Sequence, residues 1–241
     1  MYKPNAVVVG SSGRVGRLIV KELRKHYDLL TLDRETLTPI NNLEVQISRA
    51  DVLFNFAGMA HLHGAVTPKE LQVLYQANVE LPRNLAYVCR SQNVKFVHLS
   101  STKAAGGGRK SCLYGSSKAL GEAAITSAAL SPGDGELRAV SVRTPAVLAP
   151  PFEAGNLGKL ASAVRSYPLS YIPNPRMPAA STSVLAATVL AAADSQIPVG
   201  HKVVDVGTEN YEGLRSVVRH LRMSQDSASV LDSVRYSTSG R

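Results

Sequence analysis

Residues 7–16, VVVGSSGRVG, join a short β-branched run to glycines spaced three residues apart. Apolar side chains then recur at helical spacing, so the stretch predicts a strand, a tight turn and a helix. Gly10 permits the turn, Gly13 lets the backbone approach a pyrophosphate, and Gly16 lets the helix pack closely on the strand. The free N–H groups at the start of the helix favour an anion at this point.

Strands and helices alternate along the rest of the chain. Apolar runs predict further strands at 29–32, 51–56, 95–99, 137–143 and 203–206, and periodic segments predict helices at 68–92, 114–126 and 184–194. This alternation predicts an α/β fold of the Rossmann type, with a doubly wound parallel sheet.

The composition shifts after Pro145, because residues 146–183 hold six prolines and predict loops around one short helix. We therefore expect residues 1–146 to form a Rossmann domain that binds NAD(P). A small C-terminal substrate lobe is expected from residues 147–183 and about 208–241. Residues 184–207 are expected to return to the core as a helix and a strand.

Charge and composition exclude several classes of protein. The net charge is +9, but the basic residues form no run of five or more and Trp is absent, so no nucleic-acid partner is expected. No apolar run is long enough for a membrane span. His61 and His63 are too few ligands for a metal site, so none is expected. Two cysteines without metal spacing predict free thiols and a cytoplasmic protein.

The glycine loop predicts the cofactor. Its expected contacts are Gly10, Ser12, Gly13, Arg14, Val15 and Gly16. Asp33, 17 positions past Gly16, ends the second predicted strand, where its carboxylate suits the ribose hydroxyls of NAD. Arg34 follows directly, and its guanidinium suits the 2′-phosphate of NADP. NAD is the expected cofactor, and NADP is the alternative.

A second group of residues predicts proton transfer. Tyr114 and Lys118 lie four residues apart and share one face of a predicted helix. An ammonium beside a phenol lowers the phenol's pKa, which suits a general acid or base. Ser101 comes just after a strand, where ligand sites cluster in parallel sheets, and its hydroxyl can donate to a substrate oxygen. These three residues predict an oxidoreductase.

These motifs together resemble a known family. FVHLSSTK at 96–103, YGSSKALGE at 114–122, NFAG at 55–58 and RTPAV at 143–147 are similar to the extended short-chain dehydrogenase/reductases. Within these, the chain most resembles the NAD-dependent epimerase/dehydratase family that acts on nucleotide sugars. The resemblance covers roughly residues 5 to 195.

The resemblance implies roles for the matched residues. Tyr114 would exchange a proton with a sugar hydroxyl or ketone, Lys118 would bind the nicotinamide ribose, and Ser101 would orient the substrate oxygen. Thr102 is the neighbour that would replace Ser101 if the register differed by one. Asn78 matches the family's asparagine in the helix that follows the NFAG segment, and it is included among the catalytic residues.

The resemblance also implies contacts with the cofactor and the substrate. Ala57 and Gly58 would contact the cofactor, and Thr144 and Pro145 would lie near the nicotinamide. Arg176 falls where the family places an arginine on the nucleotide diphosphate, so it joins Ser101 and Thr102 as a substrate-binding residue. A homodimer through two long helices is common in the family and is expected here.

The chain departs from the family in one stretch. Only 17 residues separate Asp33 from Asp51, where the family has a longer segment with a further strand. The motifs leave open whether a nucleotide sugar is epimerised at C4 or reduced at a 4-keto group. Two alternatives are a short-chain reductase of a non-sugar ketone and a non-catalytic NAD(P)-binding sensor.

Overall fold

A computed structural model describes residues 2–32, 40–60, 66–106, 112–148, 168, 173–175, 178–208 and 213–219, with the backbone alone at 40–42. The strands of the main sheet are β1 (Asn5–Val9), β2 (Asp28–Leu32), β3 (Val52–Asn55), β4 (Lys95–Ser101) and β5 (Arg138–Thr144), with β8 (Gly200–Asp205) at one edge. Two shorter strands are β6 (Ala146–Leu148) and β7 (Ala179–Ser181). The helices are α1 (Arg14–His26), α2 (Ile40–Ile47), α3 (Pro68–Tyr75), α4 (Leu81–Ser91), α5 (Leu113–Leu130) and α6 (Thr182–Asp194).

The main sheet is parallel, with the order β2-β1-β3-β4-β5-β8. This confirms the predicted doubly wound α/β sheet. The chain reverses its direction of travel across the sheet between β1 and β3, and in such sheets ligands bind beyond the carboxyl ends of the strands at that point. The further strand that the family has between Asp33 and Asp51 is not among the described residues of this stretch, where α2 lies instead.

The two faces of the sheet are covered by different helices. Val7, Leu53 and Phe96 pack in one buried cluster with residues of α4 and α5, which places these helices on one face. On the opposite face, Tyr27 at the end of α1 packs edge-on against Phe54, with ring centroids 5.6 Å apart. The Tyr27 hydroxyl also donates a 3.0 Å hydrogen bond to Asp194 of α6.

The helix predicted over 68–92 is interrupted. Thr67 and Glu70 form a reciprocal capping box at its start, and Pro68 occupies the first turn, where its missing N–H costs nothing. After α3, residues Gln76–Glu80 form a π-turn before α4 begins. Turns of this kind insert one residue into a helix and occur often at functional sites.

The chain divides into two compact units, Met1–Pro145 with Ser183–Val206, and Ala146–Thr182 with Gly207–Arg241. In the second unit, β6 and β7 pair in parallel, with Ala146 opposite Ala179. The prediction of loops around one helix for 146–183 was therefore wrong at these two strands. No helix in the part of the chain that the structure describes is long and apolar enough to cross a membrane.

Candidate active site

The glycine loop at the carboxyl end of β1 has no room for a side chain at Gly10 or Gly16. Gly10 has a φ of 82°, and a Cβ there would lie 2.3 Å from the nitrogen of Ala57. A Cβ on Gly16 would lie 2.1 Å from the carbonyl oxygen of Gly10. Gly13 caps α1 without a side-chain hydrogen bond, which leaves the start of the helix to an anion. This cradle fits the pyrophosphate of a dinucleotide.

The other residues predicted for the cofactor fall in three places. Ser12 is exposed on the loop, and α1 begins with the exposed Arg14 and the half-buried Val15. Ala57 and Gly58 follow β3 beside the loop, with the Ala57 N–H donating a 3.0 Å hydrogen bond to the Asn55 side chain. Asp33 and Arg34, whose side chains bear on the choice between NAD and NADP, lie outside the described residues.

Ser101 and Tyr114 come together at the carboxyl edge of the sheet. Ser101 ends β4 and is 7% exposed, whereas Tyr114 lies in the first turn of α5. Burial raises the pKa of the Tyr114 phenol, and a hydrogen bond with the Ser101 side chain partly offsets this rise. The expectation of a lowered tyrosine pKa is therefore wrong for the protein by itself, in which Tyr114 holds its proton at neutral pH.

Lys118 lies one turn further along α5 and is 4% exposed. Its ammonium donates a 2.9 Å hydrogen bond to the carbonyl oxygen of Leu99 on β4. Burial lowers the Lys118 pKa to about 8, and the charge of Glu122 opposes this shift. Gly58 leaves room for the ammonium, because a Cβ there would lie 2.9 Å from the lysine Nζ.

Asn78 lies in the π-turn, and both polar atoms of its side chain form hydrogen bonds. Its Oδ1 accepts a 2.8 Å hydrogen bond from the Met59 N–H, and its Nδ2 donates to the Met59 carbonyl at 2.8 Å and to the Ser117 hydroxyl at 2.9 Å. The residue is fully buried. Asn78 thus links Met59, in the segment after β3, to Ser117 of α5, and its side chain lies beside Gly58 as the Lys118 ammonium does.

Thr102 and Lys103 begin a short 3-10 turn after Ser101. The Lys103 N–H donates a 3.3 Å hydrogen bond to the Ser101 hydroxyl. Its ammonium lies over the ring of Tyr114, 5.8 Å from the centroid, which is within the range of a cation–π interaction. Thr102 is half-buried beside these residues. Lys103 therefore lies exposed over the ring of Tyr114, whereas Lys118 is buried one turn further along α5.

An ion pair between the buried Glu122 and the half-buried Arg143 links α5 to β5. Glu122 accepts hydrogen bonds from Arg143 at 2.9 Å (Nε) and 2.6 Å (Nη2), and from the Ser100 hydroxyl at 2.5 Å. Thr144 and Pro145 follow Arg143 and are buried, and Thr144 lies opposite Ser101 in the register of β4 and β5. The residues predicted to lie near the nicotinamide therefore lie beside Ser101 at the carboxyl edge of the sheet.

The remaining predictions concern Arg176, a metal site and the two cysteines. Arg176, predicted to bind the substrate, lies outside the described residues. Among the described residues, no group of three or more His, Cys, Asp or Glu side chains could hold a metal ion. The two cysteines are free thiols, with Cys89 buried and Cys112 exposed at the start of α5.

Sequence reasoning missed Lys103, Ser117 and the Glu122–Arg143 pair. One signal for Glu122 was available, because Tyr114, Lys118 and Glu122 follow each other at intervals of four residues on one helix face. The partners on β4 and β5 had no local signal, since these contacts join residues about twenty positions apart.

Several solved structures share this fold. A UDP-N-acetylglucosamine 4-epimerase from Methanobrevibacter ruminantium M1, in complex with UDP-N-acetylmuramic acid, has a TM-score of 0.70 and 20% identity, covering 91% of this chain and 81% of its own. A dTDP-4-dehydrorhamnose reductase from Bacillus anthracis in complex with NADP has a TM-score of 0.68 and 14% identity, and the match covers 94% of this chain and 82% of the reductase. A UDP-glucuronic acid 4-epimerase from Bacillus cereus, in complex with UDP-glucuronic acid and NAD, has a TM-score of 0.70 and 15% identity. The match covers 91% of this chain and 82% of the epimerase. No protein of curated function matches the sequence.

The parallel sheet, the glycine cradle and the Ser–Tyr–Lys group define an NAD(P)-dependent enzyme of the short-chain dehydrogenase/reductase superfamily. Residues 6–167, more than half of the chain, match the sequence model of the NAD dependent epimerase/dehydratase family. The chain belongs to this family, which confirms the resemblance inferred from its motifs.

Proposed function

We propose that this chain modifies a nucleotide sugar, either by epimerising C4 or by reducing a 4-keto group. One observation carries the proposal: Ser101, Tyr114 and Lys118 meet at the carboxyl edge of the sheet that also holds the glycine cradle. Structures of the same fold were solved with UDP sugars, with NAD and with NADP, which supports this substrate class. We also propose a role in polysaccharide biosynthesis.

The chain's own residues handle the proton in this proposal. NAD(P), when bound, supplies or accepts the hydride at its nicotinamide. Tyr114 donates its phenolic proton to a keto oxygen, or removes a proton from a hydroxyl, as general acid or base. Ser101 donates a hydrogen bond that orients the same oxygen. Lys118, behind Tyr114, binds a ribose hydroxyl and stabilises the phenolate once the proton has left.

The protonation state of Tyr114 bears on both reactions. In the protein without cofactor, burial raises the pKa of Tyr114, so the phenol is protonated at neutral pH. A protonated acid suits the reduction of a keto group, in which the oxygen gains a proton as the carbon gains a hydride. Epimerisation begins with the opposite proton transfer, so it requires a lower tyrosine pKa in the loaded enzyme.

The remaining assignments rest on the family. Asp33 is proposed to bind the ribose hydroxyls of NAD, and Arg34 to hold the 2′-phosphate if NADP is used. Arg176 is proposed to bind the nucleotide diphosphate, and the second unit to recognise the nucleotide sugar. Asn78 is proposed to support catalysis by holding the segment after β3, through its contacts with Met59.

A homodimer through α4 and α5 is also proposed. Large side chains on these two helices are exposed, with Tyr87 at 41%, Leu120 at 53% and Leu130 at 80%. On α5, Leu113, Leu120 and Leu130 belong to a row of exposed residues at alternating steps of three and four, the spacing of a helix–helix seam. Light scattering at micromolar concentration tests the dimer, and a monomer would refute it.

The test of the function begins with the purified protein, without added cofactor. The protein is denatured, and any released dinucleotide is identified by mass. NAD in near-equal amount indicates a retained cofactor, as an epimerase requires. No bound dinucleotide, followed by tight binding of NADPH or NADH, indicates a reductase that exchanges its cofactor at each turnover. The glycine-loop variant Gly16→Val is the control, because its side chain would collide with Gly10 and abolish either result.

The substrate is tested separately. Calorimetric titration with UDP and dTDP should show binding, because the proposed substrates carry these groups. Conversion of UDP or dTDP sugars is then followed by the change in nicotinamide absorbance and by analysis of the sugar products. Binding of neither nucleotide, together with reduction of simple ketones, would overturn the proposal in favour of a short-chain reductase. Intact biological function in a Tyr114→Phe strain would instead indicate a non-catalytic sensor.

A further inference from the structure

Glu122 is a carboxylate placed inside the protein rather than on its surface. It is 6% exposed and lies on α5 against the ends of β4 and β5. Ser100 of β4 donates to its Oε1 at 2.5 Å, and Arg143 of β5 donates to both of its oxygens. Burying a carboxylate is costly, and these three hydrogen bonds offset the loss of water.

The location of this carboxylate relates it to the catalytic group. Tyr114, Lys118 and Glu122 lie at intervals of four residues, so they share one face of α5. Lys118 is buried, and its ammonium donates to the carbonyl of Leu99 rather than to a carboxylate. A buried ammonium without an opposite charge nearby would release its proton. Glu122 is the carboxylate one turn away on the same helix face.

We propose that Glu122 is a positioning residue of the active site, which fastens α5 to β4 and β5 and supplies the counter-charge for Lys118 behind Tyr114. The inference rests on the proposed function in one respect only, namely that Tyr114 and Lys118 are the catalytic pair. It assigns Glu122 a role through Lys118, without contact with substrate or cofactor.

The electrostatics of the neighbourhood agree with this role. Glu122 raises the pKa of Lys118, against the larger effect of burial. It also raises the pKa of His201 on β8, again against burial. The charged and titratable groups around Glu122 and Lys118 come from each element packed against them: His98 on β4, Arg143 on β5, and His201 and Asp205 on β8. Arg143 is held to Glu122 itself, so this ion pair weakens the field at Lys118 without removing it.

The experiment follows the proton on Lys118 in the protein without cofactor or substrate. Protein labelled with ¹³C at lysine Cε is titrated by NMR, and the resonance of Lys118 is identified by its loss in Lys118→Met. We expect its midpoint near the pKa of about 8 in the wild type. In Glu122→Gln we expect a midpoint lower by about one unit, because the amide keeps the shape but not the charge.

Ser100→Ala is the matched control. It removes one hydrogen bond to Glu122 but leaves its charge, so the protein should lose some thermal stability while the midpoint of Lys118 stays unchanged. Should Glu122→Gln fail to fold, the double variant Glu122→Gln/Arg143→Gln replaces the buried ion pair by two neutral amides. In that variant the midpoint should still fall, by less.

The outcomes separate two failures. An unchanged Lys118 midpoint in Glu122→Gln, or an equal shift in Ser100→Ala, would overturn the inference and leave Glu122 a purely structural tie. Absence of dinucleotide and nucleotide binding would instead count against the proposed function, and the titration result would stand. In the active enzyme, the pH profile of kcat should shift with the midpoint, whereas a structural tie would only lower the amount of folded protein.

Discussion

The two faces of the main sheet are built from the same strands and differ in chemistry. On the face covered by α1 and α6, the middle residues of the central strands are apolar, at Val8, Phe54, Val97, Val140 and Val142, and polar residues stand only at the strand ends, such as Lys95 and Ser101 of β4. The face covered by α4 and α5 begins as apolar at Leu53, Phe96 and Ala139. Toward the carboxyl ends of the same strands it becomes polar, at Asn55, His98, Ser100, Ser141 and Arg143.

This difference indicates that the apolar face contributes more to stability and that the polar face contributes more to the chemistry of the site. Buried apolar side chains stabilise a fold by their transfer from water, whereas buried polar groups at best offset their own loss of solvation. In the polar half of the α4/α5 face, His98 lies near enough to Lys118 for the lysine charge to lower the histidine pKa. The α1/α6 face can therefore hold the sheet together while the α4/α5 face sets the electrostatics of the site.

The comparison predicts that variants on the two faces fail in different ways, and the largest effect is expected at Tyr114. Tyr114→Phe should lower kcat by about 10²–10⁴-fold, the usual contribution of a general acid or base. The free energy of unfolding should fall by no more than about 1.5 kcal/mol, because only the hydrogen bond with Ser101 is lost. Turnover of the converted nucleotide sugar and thermal melting measure the two effects. Tyr75→Phe, an exposed tyrosine on α3, is the control and should change neither.

The opposite result is expected on the apolar face. Phe54 is fully buried between Tyr27 and Phe56, so Phe54→Ala should lower the free energy of unfolding by about 3–5 kcal/mol. Urea denaturation measures the loss, and the activity per folded molecule should remain near that of the wild type. Phe54→Leu, which keeps most of the volume, should lose much less. A loss of kcat in fully folded Phe54→Ala would break the division between the two faces.

Much of the fold could be predicted from local sequence, but the polar face could not. The β1 run, the three glycines and the Tyr114–Lys118 spacing are adjacent in sequence, so their geometry follows from helix and strand periodicity. The pairing of Glu122 with Arg143 depends on which strand lies under α5, which no local pattern states. The tyrosine pKa was predicted with the wrong sign, because burial of the phenol outweighs its polar neighbours and is invisible in the sequence.

The pH dependence of folding should sharpen the comparison, because the polar face contains the buried His98 and the half-buried His201. Burial lowers the pKa of His201 to about 4 and that of His98 well below its usual value. The unfolded chain binds these protons near pH 6.5, so stability is fully present above that pH and falls as the pH drops from 6.5 toward 4. The expected slope is up to about 1.4 kcal/mol per pH unit for each histidine.

The variant His201→Gln isolates one of these contributions. Its amide can still bond with Ser141 and Thr126, the partners of the histidine ring, but it takes up no proton. The free energy of unfolding, measured by urea denaturation between pH 4 and 6.5, should therefore depend less on pH than in the wild type. Val203→Ala on the same strand should give a curve parallel to that of the wild type. A His201→Gln curve as steep as the wild type's would contradict the assignment.

The smallest effect is expected at the exposed rim of the site. Lys103 lies over the ring of Tyr114, a contact worth about 0.5–1 kcal/mol at an exposed site, and its positive charge favours the phenolate. Lys103→Met should raise the pKa of Tyr114 by less than about one unit, and Lys103→Arg should leave it unchanged. Ultraviolet titration of the phenolate can follow this, because the chain contains no Trp. The Tyr114→Phe protein supplies the background, and equal titration curves for Lys103→Met and the wild type would remove Lys103 from the site.

The π-turn at Gln76–Glu80 has a consequence for how the gene can vary. One extra residue rotates everything after it by about 100° around the helix axis, because an α-helix has 3.6 residues per turn. The insertion thus turns Asn78 toward Met59 and keeps the apolar side chains of α4 on the sheet. A single-codon deletion within these five residues would restore a regular helix but put one of these two groups out of phase. The number of residues in this segment, as well as their identity, therefore determines whether Asn78 and α4 keep their contacts.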